Sequence, residues 1–260
     1  MTASVVLEKA PAPPAVRAAR ALAALALVAG VLSALAELLA GPAYRISALP
    51  LGAAIQTMRW GATVALGAAA VALVALLLSV ASNAPVRGMA ALALVLALVV
   101  AAPPLYMYRQ LQHLPKIHDI STNTEDPPKF DAVLPLRQSA RNPVDYPAST
   151  AAEQRNGYPD IEPLMLPLAP PAAFERAAKA AGEMGWDIVA TSPETLRLEA
   201  TDTTLLFGFK DDVVVRVTPQ AQGSVVDVRS LSRVGGSDFG ANAKRVRAYL
   251  KRLADSVATP

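Results

Sequence analysis

The sequence contains no cysteine, which removes disulfides, thiolate nucleophiles and sulfur-ligated metals together. Histidine is almost as scarce. His113 and His118 are the only two, so imidazole acid–base chemistry would have to pass through one of them. Zinc needs more ligands than this chain offers, and neither a metal nor another cofactor is expected. No nucleophile elbow, phosphate-binding loop or dinucleotide fingerprint occurs. Charge is the other scarcity, and it is local. Between residues 21 and 108 the charged side chains are Glu37, Arg45, Arg59 and Arg87 alone. A stretch of that length and polarity cannot be the surface of a water-soluble domain.

What is present divides the chain in two. Of its 260 residues 53% are hydrophobic and 17% charged, against about 25% charged in ordinary globular domains. From Arg109 onward, however, 18 Lys and Arg stand against 19 Asp and Glu, an ordinary soluble composition. The net charge of +3 therefore belongs to the first part, through Lys9, Arg17, Arg20 and the three loop arginines. The basic balance reflects membrane flanks, and nucleic acid is not expected as a partner.

A hydrocarbon core about 30 Å thick is crossed by about 20 apolar helical residues. After a tail of residues 1–20, three segments qualify: 21–40, 61–81 and 88–108. The six residues between the second and third fit only a tight antiparallel hairpin. Ala and Gly are abundant in the spans, as close helix packing requires, although a GC-rich genome gives the same bias. Glu37 lies about one turn from the end of its helix and is expected to snorkel to the interface. Pro103 and Pro104 should end or kink the third helix. The first apolar run is longer than the hydrophobic region of a cleaved signal peptide, about 7–15 residues. Its basic flank (Lys9, Arg17, Arg20), together with Tyr44, Trp60, Tyr106 and Tyr108 at one interface, predicts the N-terminus inside and the C-terminal domain outside. The expected location is a bacterial inner membrane, with the soluble domain on the periplasmic side.

The soluble domain, residues 109–260, opens with a proline-rich arm over 109–170. Its recurring apolar residues, among them Ile117, Ile120, Phe130 and Val133, predict an ordered arm lying on the domain, with 138–157 as the part left to float. A helix follows from Pro171, with Phe174, Ala177, Ala178, Ala181 and Met184 as its apolar stripe. Leu196, Leu198 and Ala200 alternate with Arg197, Glu199 and Thr201, the pattern of a half-buried strand. TLLFGF reads as more strand, Asp211-Asp212 as a turn, and two further strands flank the Gln222-Gly223 turn. Ser237 or Asp238 caps a last helix. Phe239, Ala243, Val246, Leu250 and Leu253 should face the core, and Arg245, Arg247, Lys251 and Arg252 the solvent. The predicted fold is three transmembrane helices followed by an α+β domain, with an antiparallel sheet of four to five strands and two helices on one face.

Residues 117–130 (IHDISTNTEDPPKF) and 227–250 (DVRSLSRVGGSDFGANAKRVRAYL), with FGFKDDVVVRV between them, resemble the bacterial and plastid family catalogued as domain of unknown function 1499. The resemblance covers essentially the whole soluble part and implies a domain boundary near Pro115. It implies no activity.

Those same two stretches hold the candidate site. His118, Asp119 and Asp126 stand in the first, and Arg229, Ser230, Ser232, Arg233, Asp238 and Asn242 in the second. Val226 and Val228 should point to one sheet face, Asp227 and Arg229 to the other, so an arm crossing the second face would bring the clusters together. Three readings stay open. The residues form a network that pins the arm of a non-catalytic binding or scaffold domain of the cell envelope. Or Arg229 and Arg233 bind an anionic ligand or lipid head group. Or His118 works with Asp119 or Asp238 in a hydrolase-like enzyme. Beyond the lipid bilayer, the partner expected is an envelope protein or an anionic ligand.

Overall fold

The computed structural model describes residues 12–258; of the basic flank, Lys9 lies outside them. The chain falls into two compact units, Met1–Tyr108 and Arg109–Pro260.

The first unit is built from α1 (Pro14–Arg45), α2 (Leu51–Ala81) and α3 (Arg87–His113), each long and apolar enough to cross a bilayer. Small side chains meet where the helices touch. Ala23, Ala75 and Ala90 form one layer and Ala26, Ala72 and Ala93 the next. Bulky residues point away: Leu25, Leu32, Leu38, Leu77 and Val99 are each more than half exposed. A water-soluble bundle would be arranged the other way round. Lipid solvates leucine as well as a protein core does, so close backbone approach becomes the packing force. The alanines therefore have a structural use beyond any compositional bias.

Two helices of this unit run beyond their apolar spans. Residues 51–60 continue α2 backward from its apolar span. α3 runs on through Pro103 and Pro104 to His113, although each proline removes an amide donor from the ladder. Glu37 is half-buried. Its Oε1 is buried without a hydrogen-bond partner among the described residues, over Gly61 of α2, where a Cβ would come within 2.8 Å of Glu37 Cγ.

The second unit contains β1 (Asp119–Ser121), a 3-10 turn (Leu134–Arg137), α4 (Ala148–Gly157), β2 (Leu164–Leu166), α5 (Pro170–Glu183), β3 (Asp187–Ser192), β4 (Arg197–Thr203), β5 (Lys210–Gln220), β6 (Gly223–Ser232) and α6 (Ala241–Ala258). All pairings are antiparallel, in the order β1-β6-β5-β4-β3, with β2 also on β6. The sheet has six strands because the arm contributes two. β1 pairs with residues 229–231 and β2 with 224–226, so the two share one side of β6 end to end. Between them the Thr122 hydroxyl accepts from the Val228 amide at 2.9 Å, filling the gap in the ladder.

Strand alternation sorts the two faces. Leu198, Ala200, Val213, Val215, Val226 and Val228 pack against α5 and α6, through Phe174, Ala177, Val246 and Tyr249. Tyr249 stacks on Trp186 at 5.0 Å and donates to the Ala177 carbonyl. The arm covers the opposite face, over a small cluster of Phe130, Val133, Val214 and Leu231. β4 is consequently buried on both sides rather than half-buried, with Glu199 2% exposed.

Several local readings also change. The segment expected to float contains α4, held by the buried Gln154. Asp211 and Asp212 lie inside β5, and residues 204–209 make the turn instead. In α6, Arg245 is buried and Phe239 is 43% exposed, while Tyr249 takes the core position.

Candidate functional site

The alternation that sorts apolar residues also divides the candidate site into two groups. Asp119, Asp126, Arg229 and Arg233 belong to the arm-covered face. The His118 carbonyl, Ser230, Ser232, Asp238 and Asn242 gather at the start of α6. They do not form one pocket.

On the arm face, Arg229 holds Asp119 with two hydrogen bonds, Nε to Oδ1 at 3.0 Å and Nη2 to Oδ2 at 2.7 Å. Two further donors reach arm carbonyls, Nη1 to Pro128 at 3.2 Å and Nη2 to Val144 at 2.6 Å. The guanidinium also lies 5.0 Å from the Phe130 ring and 5.3 Å from the Tyr146 ring, within cation–π range. Both charged partners are buried, with side chains 3% and 4% exposed. Burial pushes the Asp119 carboxyl above the usual carboxylate range, and the Arg229 guanidinium pulls against that rise.

Arg233 repeats the pattern four residues further on, just past the end of β6. It holds Asp212 with two bonds, at 2.9 and 2.7 Å, and donates to the Leu136 carbonyl at 2.7 Å. Arg137, arriving from the arm, bonds the same Asp212 and donates to the Asn142 carbonyl at 3.0 Å. Glu199 works in the opposite sense, accepting the arm amides of Asp131 at 2.9 Å and Val133 at 3.0 Å. Arg216 joins Asp126 and Asp227, both at 2.8 Å. Gln154 of α4 completes the exposed edge of β1: it accepts from the Ser121 amide at 2.8 Å and donates to the Ser121 carbonyl at 2.6 Å. Sheet side chains thus satisfy the backbone of a proline-rich segment too irregular to satisfy itself, as buried backbone groups require.

At the start of α6, Asp238 caps the helix by accepting from the amides of Gly240 and Asn242, each at 2.8 Å. Its carboxylate fills the place an anion would take at that helix end. Asn242 donates to the His118 carbonyl and the Ser232 hydroxyl, both at 2.9 Å, and accepts from Ser230 at 2.7 Å. Arg245 reaches Asp211 and Asp202, both at 2.6 Å. His118 contributes through its backbone; its Nδ1 is buried without a hydrogen-bond partner among the described residues. Asp119 is engaged by Arg229 and Asp238 by the helix amides, so neither carboxylate orients the imidazole through that nitrogen.

Sequence reasoning missed Arg137, Glu199, Asp211, Asp212 and Arg245 as members of these networks. A usable signal existed. Three consecutive strands place charged residues on one face, Glu199, Asp212 with Arg216, and Asp227 with Arg229, where each alone reads as solvent-facing. The groove between α5 and α6, about 920 Å³ and lined by Lys179, Glu183, Lys251 and Arg252 among others, belongs to neither network. Its charges pair locally, Lys251 with Asp255 and Arg252 with Glu183.

The molecule is thus defined as a six-stranded α+β domain behind three apolar helices, with a proline-rich arm bound to its sheet by buried arginine–carboxylate clasps. Residues 119–253 match the family described as protein of unknown function (DUF1499), and the chain belongs to that family. Comparison with curated proteins finds no match.

Proposed function

We propose that the chain is a membrane-tethered scaffold or binding domain of the cell envelope, displayed on the outer side of a bacterial inner membrane and working without catalysis. The observation that carries this reading is how far the fold engages Arg229, four of whose five N–H donors are used. Every guanidinium nitrogen of this residue donates to Asp119, Pro128 or Val144, whereas an arginine that captures a ligand must keep donors in reserve. Arg233 is committed in the same way, to Asp212, Leu136 and Thr201. The candidate residues act as fasteners for the arm. The basic flank of α1, Arg17 and Arg20 included, supports the outward placement.

The experiment is native mass spectrometry of the full chain ejected from nanodiscs. Expected is the mass of the polypeptide, with lipid adducts that change when the nanodisc lipid is changed. A stoichiometric small-molecule mass independent of the lipid, and lost in Arg233→Ala, would replace the scaffold with an anion binder.

A further inference from the structure

The strand registers place three loops at one end of the sheet. Asp119 at the start of β1 lies opposite Leu231 near the end of β6; Asp211 lies opposite Ser232; Thr203 at the end of β4 lies opposite Lys210. The linker 114–118, the hairpin loop 204–209 and the segment 233–240 therefore project from the same edge. They are tied together there. The Arg233 amide donates to the Lys210 carbonyl at 3.0 Å, and the Asp238 amide to the Ile117 carbonyl at 3.2 Å. A Cβ on Gly240 would stand 3.3 Å from the Leu114 side chain.

This edge is apolar where it should not be for a domain surrounded by water. Leu205 at the loop tip is 91% exposed and Leu206 41%, with Phe207 and Phe209 stacked at 4.9 Å beside them. The loop is nonetheless firmly built. The Thr204 amide donates to the Phe209 carbonyl, the Gly208 amide to the Thr204 carbonyl, and the Phe209 amide to the Thr204 hydroxyl, each at 2.9 Å. Phe239 is 43% exposed on the neighbouring segment and holds a φ of 56°, a backbone state that bulky residues rarely adopt. Exposed lysines stand around the loops, Lys116, Lys210 and Lys244, with Arg141 joined to Arg233 through its amide; Asp187 is an exposed carboxylate at the same end.

We propose that this edge is a membrane-contacting surface, with Leu205, Leu206 and Phe239 entering the interfacial layer of the bilayer and the surrounding lysines resting on anionic head groups. The occupant follows from the chain itself. α3 ends at His113 and β1 starts at Asp119, so the connection spans no more than about 20 Å when fully extended. The edge it enters is thus held close to lipid at high effective concentration. An apolar tip ringed by basic residues is the composition that interfacial binding selects. An exposed apolar patch on a freely diffusing domain would carry no such preference.

The absence of cysteine makes the test direct. Leu205→Cys and Glu194→Cys, the latter on the exposed turn at the opposite end of the sheet, are each labelled in the full chain with an environment-sensitive fluorophore. Both are reconstituted into vesicles of mixed zwitterionic and anionic lipid, with and without lipids carrying a nitroxide high on the acyl chain. The proposal predicts blue-shifted emission at position 205 and lipid-nitroxide quenching at least about threefold stronger than at position 194. Equal quenching at the two positions would overturn it. So would shielding of position 205 from aqueous iodide without lipid quenching, which would assign the edge to a protein contact.

Discussion

Replacing Arg229 with alanine tests the clasp at its most buried point. The substitution removes the two hydrogen bonds to Asp119, leaving a carboxylate whose side chain is 4% exposed without its counter-charge. It also strips donors from the carbonyls of Pro128 and Val144 and the cation from the Phe130 and Tyr146 rings. Removing one partner of a buried ion pair costs about 3–5 kcal/mol. For a domain of this size that corresponds to a fall in Tm of about 6–20 °C. Asp119 would take up a proton, since burial already raises its pKa and the opposing guanidinium would be gone. The double variant Arg229→Ala with Asp119→Asn should therefore recover part of the loss. Thermal unfolding of the full chain in nanodiscs, followed through the buried Trp186, supplies the stability. Limited trypsin digestion supplies a local readout, because a released arm exposes Arg137, which is 7% exposed in the docked arm. A loss below about 1 kcal/mol, with the arm still resistant to trypsin, would refute the reasoning.

Three further expectations follow from single sites. Glu199→Gln turns an amide donor toward the Asp131 or Val133 amide and should cost about 2 kcal/mol, read as a lower denaturation midpoint with an unchanged slope. Gly223 holds a φ of 119°, and a Cβ there would sit 2.1 Å from the Leu166 carbonyl oxygen. Gly223→Ala should thus cost more than about 2 kcal/mol and detach β2, whereas Gly236→Ala, with open space around it, should stay within about 0.5 kcal/mol of the parent. Asp238 has its carboxyl pushed above the usual range, first by burial. A folded-state pKa above the unfolded one means stability present at low pH and lost as pH rises through the folded value. Asp238→Asn keeps one of the two cap bonds and removes that loss, so its stability relative to the parent, lower at acid pH by the lost bond, should climb from about pH 4 upward and then level off. A relative stability that is flat or falling in urea titrations across that range would contradict the assignment.

Much of the fold was legible because its signals are local. Bilayer-length apolar runs, the alternation of residues 196–201 and 226–229, and the apolar stripe around Phe174 each need only near neighbours. What escaped was set by distant partners. Asp211-Asp212 carries turn-forming residues, but Arg245, Arg137 and Arg233 neutralise both carboxylates from elsewhere in the chain and keep them in β5. With those positions in the strand, the apolar run 204–209 becomes the hairpin turn. Arg245 was assigned to solvent by the ordinary rule for charge, which fails when Asp202 and Asp211 wait beneath the helix. β1 and β2 have three residues each, too few for any period to show. α4 has a weakly amphipathic sequence whose anchoring lies in one glutamine, Gln154. The arrangement of the candidate residues was not legible. Strand alternation in β6 sends Arg229 and Ser230 to opposite faces, and His118 takes part through its carbonyl.

The arm clasp is tested most directly by amide hydrogen exchange on the full chain in nanodiscs. The amides of Asp131 and Val133, deep in a proline-rich segment with no regular secondary structure, should exchange as slowly as those of β5 and β6. Exchange of both within seconds, at the rate of an unstructured peptide, would mean that the segment is not fastened to the sheet.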